Sequence, residues 1–467
     1  MDAIVNELPA GPTDELHAFL TEWLSEDRIP GVSLAIVDGD DVVYADGHGA
    51  RDLASNAPAT AETLYGMGSC TKSFTALAIM QLAEAGQLDV TDPVTDHVPY
   101  LDAVEGDPVT IHQLLTHTSG MPSDGKAIVL ISRLMGGDPI EVPLSDHDDF
   151  RAYVRGAAPD RVTDEEERFF YYNSGYTILG EIISEVSGQS YTEYVQDHIL
   201  DPLGMERSTF SEADFTETTD RMTPYTREDG KSVAAEFPFG DFLYGAGGLL
   251  SCVSELTAYL QLNMHGGDYD RHSLLDGEHL DRMHQSHATR YQRLDGSTYR
   301  YGYGWGVEDF LDDVLVGHSG SVGVSTGYLG FLKDRDLGVA IGCNTTHEYA
   351  LAEIGKAALA IVEGHDPAER VPLFGLREKL ATVTGEYSSY RDLQGATVEQ
   401  DGGTLQLTMH SDLREQQLPL FPETADPTDY RFYTVTVAGD RTPVTFDVTD
   451  GRATDLYIDR WRLRREQ

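Results

Sequence analysis

Strand-like runs stand at both ends of the first 360 residues, and helical stretches fill the space between them. Val32–Val37 and Val42–Ala45 flank Asp38-Gly39-Asp40-Asp41, which predicts a hairpin. Similar runs return late, at Asp313–Val316, Thr326–Leu332 and Leu337–Gly342. Strands this far apart must meet in one sheet if they are to bury their apolar faces. The expected class is therefore α+β, an antiparallel sheet flanked by helices with a helical subdomain. Leu16, Phe19, Leu20, Trp23 and Leu24 keep the spacing of an amphipathic helix, with Pro12-Thr13-Asp14-Glu15 as its expected cap. A buried helix is predicted from about Ser69 to Ala85, stopped by Gly86.

The pattern changes near residue 365. Gly364–Pro372 has linker chemistry, and short alternating strands follow: Thr397–Val398, Thr404–Met409, Tyr430–Val437, Val444–Val448 and Thr454–Leu463. Asp401-Gly402-Gly403, Ala438-Gly439-Asp440 and Asp450-Gly451 punctuate them as turns. This predicts a main domain over 1–365, a linker over 366–378 and a small all-β barrel over 379–467.

Charge limits the partners. The chain has 79 acidic and 33 basic residues, a formal −46, spread along its whole length. With 24 Tyr and 16 Phe it is too aromatic for an acidic disordered chain. Self-repulsion at this charge opposes compactness in dilute buffer, and molar salt shortens the Debye length to about 3 Å and relieves it. A source adapted to high salt, a halophilic archaeon, is expected. Neither nucleic acid nor membrane suits such a surface as a partner. The chain has no apolar run long enough to span a bilayer, and Met1–Glu7 has no basic or apolar leader character, so a cytoplasmic setting is expected. Cys70, Cys252 and Cys343 cannot all pair and are expected to be reduced.

Only six of the basic residues are lysines, which makes Lys72 conspicuous. Ser69-Cys70-Thr71-Lys72 puts a hydroxyl and an amine on one helical face, a turn apart. A hydroxyl becomes a nucleophile only when something takes its proton, and a buried, uncharged lysine can do so. Tyr171-Tyr172-Asn173 offers a phenol to relay that proton, and a carboxamide that can bond Lys72 and substrate together. In an extended stretch Tyr172 would point away from Tyr171, and Phe169 and Phe170 are expected in the core. His318-Ser319-Gly320, just before a strand-like run, offers an edge for an extended substrate and a histidine able to switch near neutral pH. The backbone N–H groups of Ser69 and Ser321 are the expected oxyanion hole. His117 is expected as a structural turn residue. His284 and His287 lie one turn apart without a third ligand in sequence, and Gly245–Gly248 lacks the lysine of a phosphate loop. No metal or cofactor is expected.

The three triplets, in this order, resemble the penicillin-binding protein and class C β-lactamase superfamily, whose motifs are S-x-x-K, Y-x-N and K/H-T/S-G. Flanking stretches are similar too: Leu114–Pro122, Asn173–Tyr176, Pro202–Met205 and Ala246–Leu249. A histidine opening the third motif is closer to the CubicO-type peptidases and esterases, and the trailing β domain resembles their lipocalin-like domain. The resemblance implies Ser69 as nucleophile, Lys72 and Tyr171 as the proton-transfer pair, and Asn173, His318, Ser319 and Gly320 as substrate contacts. The implied activity is a serine hydrolase cleaving an amide or ester of a small molecule or peptide through an acyl-serine intermediate. The alternatives are a true β-lactamase or D-Ala-D-Ala carboxypeptidase, and a non-catalytic binding protein on the same fold. A homo-oligomer is compatible with either.

Overall fold

The structure is a computed structural model that describes residues 5–101, 106–134, 142–162, 168–346 and 351–466. The leader-free reading of Met1–Glu7 rests mainly on residues outside that set. Among the described residues no helix is long and apolar enough to cross a membrane. The chain divides into two compact units, one of residues 1–291 and 298–362, the other of residues 363–467 with the short stretch 292–297.

In the first unit the distant strands do meet. Gly31–Asp38 pairs antiparallel with Leu337–Cys343, Ala35 standing opposite Ala340. From there the sheet runs through Thr326–Leu332, Asp313–Ser321, Gly306–Phe310, Thr298–Tyr301 and Ala288–Gln292 on one side. On the other side come Asp41–Asp52 and the short Val5–Asn6. Every residue of Thr326–Leu332 and Leu337–Cys343 is buried, as expected of strands covered on both faces. Helices Val253–Met264 and Ala352–Val362 pack on these strands, and Ala10–Glu26 packs on the latter helix.

The Ala10–Glu26 helix begins earlier than its sequence suggests. Pro9 precedes its first turn without a side-chain cap, and Thr13, expected outside the helix, lies inside it and bonds back to the Pro9 carbonyl. The helix Thr71–Glu84 has all but three of its 14 residues buried, so it forms the centre of the unit rather than a surface helix. Gly86 follows in the left-handed conformation, at φ +67°.

The second unit is a closed antiparallel barrel of eight strands between Gly385 and Arg465. Tyr387 pairs with Ala396 on one side and with Arg465 on the other, which closes the ring. Leu405, Leu407, Leu420, Phe432, Leu456 and Leu463 fill it, and inward residues alternate with outward ones along Thr404–Ser411. The run Thr454–Leu463, expected as one strand, is broken by Asp459 at φ +50° into Arg452–Ile458 and Trp461–Arg465. The stretch 366–378, expected as a linker, is helical over Pro367–Arg370 and from Pro372 onward to Val383. Its prolines sit in the first turn of each helix, where a missing N–H costs nothing. They start helices here instead of interrupting structure.

Candidate active site

Ser69 occupies a 3-10 turn, Gly68–Cys70, that runs directly into the central helix. Gly68 has φ +51°, and a Cβ there would stand 2.4 Å from the Ser321 backbone nitrogen. Across the same contact, a Cβ on Gly320 would meet the Met67 carbonyl oxygen at 1.9 Å and the Ser69 nitrogen at 2.4 Å. Two glycines therefore let the Ser69 turn lie against the strand Asp313–Ser321. This brings the Ser69 and Ser321 N–H groups, from two distant segments, to one place.

His318-Ser319-Gly320 lies within that strand rather than before it, and the strand is internal to the sheet. Its pairing with Gly306–Phe310 ends at Gly317, while pairing with Thr326–Leu332 continues through Ser321. One side of residues 318–321 is thus released from the ladder. The Ser69 turn packs on the face of this strand, where the Cys70 thiol donates to the His318 carbonyl.

Lys72 is fully buried. Its Nζ lies 2.9 Å from Ser69 Oγ, 2.9 Å from Asn173 Oδ1 and 2.6 Å from the Ala246 carbonyl oxygen. Burial holds its pKa well below the ordinary lysine value, and the charge of Lys126 adds to this. Two of the three neighbours are pure acceptors, so an uncharged amine gives them its two hydrogens and turns its lone pair to the Ser69 hydroxyl. Asn173 opens the helix Asn173–Ser187 and also lines the cavity beside Ser69.

Tyr171 is half-buried, with Lys72 Nζ 4.9 Å from its ring centre. Burial pushes its phenol pKa upward, opposed first by a hydrogen bond with Ser69 and then by the charge of Arg290. Tyr172 is extended, at φ −119° and ψ 97°, and its ring is buried. Phe169 and Phe170 are half-buried rather than core residues. Phe169 joins His117 and Tyr301 in an aromatic cluster around Tyr171.

His318 differs from expectation. Its Nδ1–H donates to the Ser319 carbonyl at 2.6 Å, and its Nε2 accepts from the Tyr301 hydroxyl at 3.0 Å. Burial, then Lys72, lower its pKa to about 3. It is a neutral ring with both nitrogens engaged, not a group that switches near pH 7. His117 does occupy a turn, at φ +60°, and its Nδ1 accepts the Tyr172 backbone N–H. It also lies 4.3 Å from the Tyr171 ring centre, a contact no sequence pattern announces.

The residue that sequence reasoning missed is Lys126. It is buried, it opens the helix Lys126–Leu134, and it lines the cavity that holds Ser69 and Asn173. Its Nζ donates to the Phe242 carbonyl at 2.8 Å and to the Thr177 hydroxyl. A cation in a first helical turn opposes the helix dipole. Burial brings its pKa to about 7. Among the described residues no carboxylate lies within ion-pair distance of Lys72 or Lys126, whereas the equally buried Lys356 pairs with Glu308 and Glu353. Its scarcity as a lysine was the one available signal. The cavity holds only about 40 Å³, well below the roughly 300–1,000 Å³ of a drug-sized ligand site.

The remaining candidates have structural partners. The Cys70 thiol is buried and its pKa is pushed up to about 12, so it stays protonated. His284 bonds Asn263 and His287 donates to the Arg282 carbonyl. Gly245–Gly248 lines the site through the Ala246 carbonyl and Gly247.

The chain belongs to the β-lactamase family, whose profile, described as Beta-lactamase, matches residues 1–363. A second profile, the Pab87 octamerisation domain, matches residues 367–464. The octameric penicillin-binding protein homologue from Pyrococcus abyssi superimposes with a TM-score of 0.88 at 38% identity, over 97% of this chain and 99% of that one. A class C β-lactamase from Rhodobacter sphaeroides shares the fold, with a TM-score of 0.61 at 20% identity over 75% of this chain and 99% of its own. Protein flp of Staphylococcus aureus strain MW2 is 28% identical over 339 residues, 72% of this chain. The chain spans 64% of that relative's length.

Proposed function

We propose that the protein is a serine hydrolase in which Ser69 attacks an amide or ester carbonyl and carries the acyl group until water releases it. The observation that carries this reading is the 2.9 Å contact between Ser69 Oγ and a buried lysine amine with no carboxylate partner among the described residues. Lys72, uncharged, takes the hydroxyl proton as Oγ bonds to the carbonyl carbon. The oxyanion that results is held by the Ser69 and Ser321 N–H groups. Tyr171, kept protonated by its burial, gives its proton to the leaving group and is recharged from Lys72. The opposite directions of the two pKa shifts support Lys72 as base and Tyr171 as relay. Asn173 holds Lys72 in place and offers its amide to substrate, and residues 318–321 line the substrate along the released strand side. His318 supports this wall through Ser319 and Tyr301.

The test is intact mass after treatment with a fluorophosphonate or a penicillin. One adduct per chain on the wild type, absent from Ser69→Ala, is expected. A folded wild type that takes no adduct from either reagent overturns the reading.

Self-association through the barrel belongs to the same reading. The Pyrococcus abyssi homologue is octameric, and the matched C-terminal domain is named for octamerisation. Tyr390, Leu393, Leu413, Val435 and Val437 of this unit are exposed apolar side chains on a chain of charge −46. Light scattering is expected to show an oligomer that Leu413→Asp weakens. The acidic surface is read as an adaptation to high salt.

A further inference from the structure

A second group of chemistry-bearing side chains stands away from Ser69. Tyr44, Asp46 and His48 alternate along the strand Asp41–Asp52 and so share one face. The helix Ala10–Glu26 packs on this strand and brings His17 over that face. His17 Nε2 is 3.0 Å from the Tyr44 hydroxyl, and His48 Nε2 is 2.7 Å from the same oxygen. The two imidazole centres are 5.3 Å apart. Asp46 Oδ1 accepts the Gly47 N–H at 2.7 Å, which fixes the carboxylate. One ligating atom from each of His17, Asp46 and His48 lies within 4.8 Å of the other two, and all three residues are half-buried.

We propose that His17, Asp46 and His48 bind one divalent transition-metal ion, with the donor chemistry of a zinc site. Two imidazole nitrogens favour zinc and its neighbours over magnesium or calcium, which prefer oxygen ligands alone. Zinc bonds of about 2.0–2.2 Å require the donor atoms to draw together by roughly 1 Å, within the reach of side-chain torsions. Water or the Tyr44 oxygen completes a tetrahedron. The ligands come from a helix and a strand, so the ion ties the Ala10–Glu26 helix to the sheet. The strand lies four places along the sheet from Asp313–Ser321, about 19 Å at ordinary strand spacing. The ion's role is therefore structural, apart from the hydrolytic centre.

The experiment titrates the full chain, stripped with a chelator, with Co²⁺ and then Zn²⁺. One equivalent of Co²⁺ with the intense visible absorption of a tetrahedral site is expected, displaced by Zn²⁺, and Zn²⁺ should raise the unfolding temperature. His17→Ala, and the gentler His48→Gln, should each weaken binding at least 10-fold and remove the thermal shift while ester hydrolysis is retained. His279→Ala, in the exposed Glu84, Asp276 and His279 group, should change nothing. Only the pale spectrum of octahedral Co²⁺ on surface carboxylates, or tetrahedral binding that survives both substitutions or is lost with His279→Ala, overturns the proposal.

Discussion

Lys72 Nζ lies 2.9 Å from Ser69 Oγ, and its other two neighbours, Asn173 Oδ1 and the Ala246 carbonyl, can only accept. The serine hydroxyl is thus the one group in contact that can give the amine a proton. Lys72→Met should lower kcat on an ester substrate by about 10²–10⁴, with circular dichroism unchanged. An effect confined to KM would remove the lysine from proton transfer.

Lys126 acts on the same amine through its charge. Its positive field lowers the Lys72 pKa, so Lys126→Met should raise it and move the acid limb of kcat/KM to higher pH. Because the Lys126 pKa is about 7, its field fades above neutrality. The variant should be roughly 3- to 10-fold slower at pH 6 and close to wild type at pH 9. A uniform loss at all pH values would instead indicate a packing defect.

The approach of the strand to Ser69 depends on Gly320. A methyl group there would meet the Met67 oxygen at 1.9 Å, backbone against backbone, with no side chain free to yield. Gly320→Ala should push Ser321 away from Ser69 and separate the two proposed oxyanion donors, reducing kcat by about 10² or more. Stopped-time assays on a chromogenic ester, alongside a melting curve, measure both consequences.

Acid should unfold the protein through its histidines. His284 and His318 are neutral in the folded chain, each with a pKa lowered to about 3 by burial, against an ordinary value near 6.5. The unfolded chain therefore binds the extra protons first. The stability they contribute is complete above about pH 6.5 and is lost as the pH falls toward 3, on the order of 3 kcal/mol each by pH 4. Urea midpoints between pH 8 and 4 should fall steeply below pH 6.5, and His284→Gln should flatten that slope.

Salt should stabilise the fold. At −46 the repulsion between surface charges is unscreened in dilute buffer. The melting temperature is expected to rise steadily between about 0.1 and 2 M salt. A flat response would show that the acidic surface imposes no such constraint.

Much of the main sheet was legible because its strands are apolar runs bounded by Asp and Gly turns, and because Ser69 and Lys72 are close in sequence. The strand holding His318 was not legible to its end. Gly317, Ser319 and Gly320 look like a loop, yet they are strand residues kept small by the turn packed against them. Lys126 escaped notice, and His117 was legible only as a turn residue, because their placement beside Lys72 and Tyr171 depends on burial across distant segments, which leaves no periodic mark. Pro367 and Pro372 misled for the opposite reason, since their local chemistry suits both a linker and a helix start. His17 and His48 belong to separate elements, and only the packed helix brings them together.

Of the six lysines, Lys72, Lys126, Lys356 and Lys379 are buried, while Lys231 is exposed and Lys333 partly so. The outer skin of the molecule is consequently almost devoid of side-chain amines. Conjugation through N-hydroxysuccinimide esters will decorate the folded chain at Lys231 and Lys333, giving labelling far more uniform than a protein of this size usually permits.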